Sequence, residues 1–207
     1  MSIKYLPHYD EGMVKSAPSE EETRTRARTR RAILDAAVDV LGENRAAPLS
    51  QVAVRAGVAR STLQRYFPER ADLITALADY ADELANEATE RACTTEGTAI
   101  EAFSRLVSEY FALRKVTMIA FAGDDTAEEL NEETCGPSDL ALYELVERGH
   151  EDGTIDPRIT PLWAQQLLWS SLYAGWLYVS AAKVPAFEAH NMCLLSLVKA
   201  VGREKAD

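Results

Sequence analysis

Between Pro48 and Pro68 the apolar residues fall into two short helical sets. Leu49, Val52, Ala53 and Ala56 recur at i, i+3, i+4 and i+7, on one face of a helix. Gly57 then predicts a sharp turn, because a residue without Cβ takes positive φ at no steric cost. Val58, Thr62, Leu63, Tyr66 and Phe67 make the second set, which Pro68 ends. Two short helices joined at a glycine form a helix-turn-helix, whose second helix enters the DNA major groove; an ordinary hairpin of a helical domain reads the same way. Ala53 is small where the two helices must cross. Arg60, Ser61, Gln64 and Arg65 are left pointing outward from the second helix. They are donors suited to base edges and phosphates, with no acid among them.

The same period continues on both sides. Ile33, Leu34, Ala37, Val40 and Leu41 predict a preceding helix that ends near Gly42-Glu43-Asn44 and packs across the hairpin. Residues 1–22 lack a helical period and read as a mobile extension. After the hairpin, Leu73, Leu77, Tyr80 and Leu84 predict a rod from Asp72 to about Arg91. Ile100 to Phe121 reads as one long helix, Thr126 to Glu133 as a short acidic one after a break at Gly123-Asp124-Asp125, and Pro137 to Arg148 as another. Pro161 to Ala182 and Phe187 to Arg203 complete the chain. No strand period or internal repeat is present, so the predicted fold is all-α. An N-terminal three-helix head over 23–70 precedes a helical body over 71–207.

Charge sharpens this division. Thr23 to Arg70 holds ten arginines against four acids, a net of +6, so the rest carries −17 of a total of −11. A basic head and an acidic body orient the molecule on a polyanion. Arginines at 24, 26, 28, 30 and 31 crowd the start of the first helix, where they oppose the macrodipole. Contact with phosphates explains accepting that cost; a solvated helix start is the plainer reading.

The order of residues in the hairpin resembles the DNA-binding signature of the tetracycline repressor (TetR) family. The matching positions are Val52-Ala53, Ala56-Gly57-Val58, Thr62-Leu63-Gln64-Arg65-Tyr66-Phe67, Arg70 and Ala71-Asp72-Leu73. Two positions depart from it: Ala59 stands where a capping Ser is usual, and Gln64 where a Tyr is usual. The resemblance implies a homodimeric repressor on a palindromic operator in double-stranded DNA, released by a small-molecule inducer bound in the helical body. The expected DNA-facing set is Arg24, Arg28, Ser50, Arg60, Ser61, Gln64, Arg65, Tyr66 and Arg70.

The stretch from Pro161 to Ala182 is nearly charge-free and apolar on all sides. Its length approaches a membrane span, but Gln165, Gln166, Ser170 and Ser171 and the absence of basic flanks argue against one. A helix apolar all round is buried all round, and a subunit interface supplies the missing cover. Ala164, Leu168, Ser171, Gly175 and Val179 form a small-residue face for a partner helix, joined by Leu194 and Val198 of the last helix. Four such helices make a two-fold bundle. Phe103, Tyr110, Trp169 and Tyr173 are aromatics on two helices that either fill the core or wall a pocket for a flat, mostly apolar ligand.

No phosphate loop, His-Glu-x-x-His or nucleophile elbow is present, so no catalytic residue, metal or cofactor is expected. His8, His150 and His190 lack spaced partners. Cys93, Cys135 and Cys193 are odd in number and far apart, as for reduced thiols of a cytoplasmic protein. The alternative is a helical interaction or enzyme domain with an incidental hairpin; salt-sensitive DNA affinity separates the two.

Overall fold

In a computed structural model, which describes residues 20–121 and 136–203, the regular elements are all α-helices. The expected extension up to residue 19, the break at 123–125, the acidic helix at 126–133, His8 and Cys135 lie outside the described residues.

The head is built by α1 (Glu20–Glu43), α2 (Leu49–Arg55), α3 (Arg60–Tyr66) and the start of α4 (Arg70–Ala92). Ile33, Leu34, Ala37 and Leu41 bury their side chains against Val52, Ala53, Leu63 and Phe67, and Leu73, Leu77 and Tyr80 close the cluster from behind. Gly57 sits at φ +67°, the left-handed turn its position predicts. The N–H of Val58 returns to the carbonyl of Ala53 at 3.0 Å, which locks α3 against α2.

The same α4 carries Ala85, Ala88 and Ala92 into a second core. There it meets α5 (Ala99–Ala112), α7 (Pro137–Glu151), α8 (Pro161–Ala182) and α9 (Ala186–Val201). Phe103, Leu106, Leu142, Leu145, Leu168, Leu172, Cys193 and Leu197 fill it. Arg105 donates to the carbonyls of Ala92, Cys93 and Glu96, and Arg148 to those of Thr94 and Gly97. These two side chains satisfy the open end of α4 and hold the α4–α5 turn.

The expected single helix from Ile100 to Phe121 is two helices, because the chain bends at Leu113 into α6 (Arg114–Phe121). The Leu113 N–H bonds only three residues back, to Tyr110, and Arg114 donates to the Phe111 carbonyl at 3.0 Å. Its guanidinium lies 4.7 Å from the centre of the Phe111 ring. The bend has a tertiary cause. Phe111 belongs to the body core, whereas Val116 and Ile119 belong to the head core, and a straight helix could not bury both.

Candidate functional site

Arg60, Ser61, Gln64 and Arg65 are all exposed on α3, and Ser50 is exposed on α2 beside it. Leu63 is fully buried beneath them and fixes the helix on the head. Tyr66 is half-buried, its ring 6.4 Å from that of Phe67, and the Arg65 guanidinium lies 5.9 Å from the Tyr66 ring. No side chain caps α3 at Ala59. Six of the nine expected DNA-facing residues thus lie together.

Arg70 does something else. Its guanidinium donates to the carbonyls of Ala47, at 2.7 Å, and Arg45. It therefore ties the α1–α2 loop to the start of α4, and those donors are not offered outward. Arg24 and Arg28 are exposed on α1 but share the side of Arg31, which faces α4. Arg31 grips Glu87 through both carboxylate oxygens at 3.2 and 3.3 Å and lies 5.5 Å from the Tyr80 ring centre. That bond holds the Glu87 carboxyl below its usual range. Tyr80 donates to Asp35 at 2.6 Å, and burial with that bond pushes its phenol up to about 12. Arg91 continues the ladder to Glu109 of α5 at 2.8 Å.

In the body, Tyr110 and Trp169 stack with ring centres 5.5 Å apart and planes 18° from parallel. Phe103 is sealed in the core, and Tyr173 is half-exposed on the outer side of α8 beside Trp176. Of the four aromatics expected to face one another, only Tyr110 and Trp169 do. A polar network that sequence reasoning missed surrounds that pair. The Tyr110 hydroxyl meets Thr89 Oγ1 at 2.8 Å. Gln165 donates to Asp139 at 2.6 Å and accepts from Tyr143 at 2.9 Å. Among the described residues, Asn86 Oδ1 is buried without a hydrogen-bond partner. Asp82 remains exposed, yet desolvation by its neighbours, and then the charges of Asp139 and Asp79, push its carboxyl up. The available signal was the recurrence of Asp82, Asn86 and Thr89 at i, i+4 and i+7, on one face of the helix.

The small-residue face of α8 is not open to a second chain. Ala164 and Leu168 are completely buried. A Cβ at Gly175 would lie 2.5 Å from Cys193 Sγ and 2.9 Å from Phe111, so glycine serves the approach of α9 and α5 within one chain. Ser171, Val179, Leu194 and Val198 are half-buried, and the Ser171 carbonyl accepts from the Cys193 thiol. The uncovered apolar side of α8 is the opposite one, with Leu162, Trp163, Tyr173 and Leu177 each more than two-fifths exposed. On α9, Phe187 is 70% and Leu195 49% exposed.

Among the described residues no group of three His, Cys, Asp or Glu side chains could hold a metal ion. His150 bonds to the Ile159 carbonyl and His190 to Ser108, both at 3.0 Å. No described helix is long and apolar enough to cross a membrane.

A cationic recognition helix on a three-helix head, joined to a helical body by a shared rod, defines a helix-turn-helix transcriptional regulator. Residues 33–77 match the family described as bacterial regulatory proteins, tetR family. Across 182 residues the chain is 35% identical to the HTH-type transcriptional repressor LfrR of Mycolicibacterium smegmatis, covering 87% of this chain and 94% of that protein. The chain belongs to the TetR family of transcriptional regulators. The crystal structure of LfrR from Mycobacterium smegmatis in complex with proflavine is 33% identical and aligns with a TM-score of 0.63, over 84% of this chain and 96% of that one. The regulator SCO0520 from Streptomyces coelicolor shares the fold at 20% identity and a TM-score of 0.60, over 85% and 99% of the two chains.

Proposed function

We propose that this protein is a cytoplasmic, homodimeric repressor that binds a palindromic operator and leaves it when a flat aromatic cation occupies the body. The observation that carries the reading is the exposed, acid-free face of α3 in a head of the TetR type. In it, Ser61 and Gln64 meet base edges, while Ser50, Arg60, Arg65 and Tyr66 hold phosphates. The exposed apolar sides of α8 and α9 pair across a two-fold axis, so that one dimer presents two heads.

The ligand class is supported by chemistry around Tyr110 and Trp169. The stacked Tyr110–Trp169 pair offers a flat aromatic wall to a planar molecule. Asp139 and Asp79 act on Asp82 as like charges, and Asn86 brings a buried acceptor without a donor among the described residues. A cation bearing N–H groups relieves both. Proflavine, which LfrR binds in its crystal structure, has that chemistry. A ligand shifts DNA binding only through different affinities for the bound and released states.

Selection of bound sequences from a random duplex pool, followed by a salt titration, tests the reading. A palindromic consensus with steeply salt-dependent affinity is expected, and proflavine should release the bound duplex. Retention of no duplex at low salt refutes the repressor; release by neutral aromatics and not by proflavine refutes the ligand class.

A further inference from the structure

The arginines of α1 lie on two faces with different surroundings. Arg24, Arg28 and Arg31 share the side turned to α4, where Arg31 is bound to Glu87. Arg26 and Arg30, four residues apart, share the other side. The Arg30 guanidinium lies 6.0 Å from the ring centre of Phe67, the residue that ends α3. Arg26 is one turn further out, exposed, and makes no hydrogen bond or ion pair among the described residues. Both precede residue 33, where the match to the family model begins.

We infer that the Arg26–Arg30 face of α1 is a second DNA-contact surface that holds backbone phosphates beside the groove entered by α3. Two facts on this face converge. The row continues the surface of Gln64, Arg65 and Tyr66, because Arg30 is seated against the end of their helix. At 1.5 Å per residue the two charges are about 6 Å apart along the axis, a spacing suited to successive phosphates. Ala27 and Thr29 beside them add neither charge nor bulk. The face carries no base-reading geometry of its own, so its contribution is independent of sequence.

This inference rests on the DNA-binding reading, and the test keeps the two apart. Duplexes selected from a random pool by the wild-type chain, and one unselected duplex, are titrated with the Arg26→Ala/Arg30→Ala variant across a range of salt. Both affinities should fall by the same factor and the preferred sequence should not change. The salt slope should become shallower by about one unit per lost phosphate contact, or about four for a dimer. Arg26→Glu alone should weaken binding further with unchanged helix content, since Arg26 lies outside the core. Arg28→Ala should match the wild type. Wild-type affinity and slope in both Arg26 variants overturn the proposal, as does a changed base preference or an equal loss from Arg28→Ala. A wild-type chain that binds no duplex overturns the repressor reading as well.

Discussion

α3 and α8 both leave one side uncovered within the chain, and the two sides differ in what they reveal. On α3 the uncovered side is polar and cationic, and the buried side is Leu63. Burial and charge separate cleanly there, so the partner's chemistry can be read from the residues themselves. On α8 the covered side is Ala164, Leu168, Leu172 and Gly175, and the uncovered side is Leu162, Trp163, Tyr173 and Leu177. Both sides are apolar. Only the placement of α5 and α9 decides which of them stays uncovered. A charged face announces its partner; an apolar helix announces only that it has more than one.

The largest expected effect sets these two faces against each other. Leu177→Glu with Leu195→Glu places charge on the uncovered sides of α8 and α9, where an unpaired buried charge is strongly disfavoured. A folded monomer is expected by light scattering, with operator affinity falling toward the about 10⁻⁶–10⁻⁴ M of non-specific binding. A stable dimer would move the seam elsewhere. Leu168→Ala addresses the covered side of the same helix. It should cost about 2–5 kcal/mol in denaturant unfolding, as for other fully buried leucines, and leave the dimer intact where the chain still folds. Loss of association without loss of stability would return the seam to the small-residue face.

On α3, Gln64→Ala should relax preference at one base pair of each half-site by about 1–3 kcal/mol, measured by competition among operator variants. An equal loss on every duplex would make Gln64 a phosphate contact instead. Ala59→Ser supplies the missing cap of α3 and should stabilise the protein by about 1 kcal/mol, seen as a higher melting temperature. The smallest effect concerns the body. A carboxyl whose folded pKa is raised takes up its proton first in the folded state, so ionised Asp82 strains the fold at neutral pH. Asp82→Asn should raise the melting temperature slightly and weaken proflavine a few-fold. Wild-type proflavine affinity should fall as pH drops through the range of Asp82, and the variant's should stay flat across it. A flat wild-type profile would remove Asp82 from the site.

How far the sequence could be read follows the same physics. The head was legible because each of its signals is local: two apolar sets, a glycine at positive φ, a proline stop and an acid-free outward face. The bend at Leu113 was not, since Phe111-Ala112-Leu113-Arg114 contains neither glycine nor proline and bends to serve two cores at once. The faces of α8 were illegible because apolarity all round carries no direction. Small residues there suggested a close partner, and one exists, but it is α9 of the same chain. Arg70 matched a basic position of the family pattern, yet its bonds to Ala47 and Arg45 are long-range and invisible in the local sequence. The network around Tyr110 was overlooked for the opposite reason, as Asp82, Asn86 and Thr89 read as ordinary polar interruptions of α4.

The bend at Leu113 also sets the order in which the chain can mature. The hydrophobic centre of the head is incomplete until Val116 and Ile119 reach it, although they follow α4 and the whole of α5. During synthesis the recognition helix therefore leaves the ribosome well before its own support is finished. A product ending after α4 would lack Val116 and Ile119 and leave the core of the head unfinished.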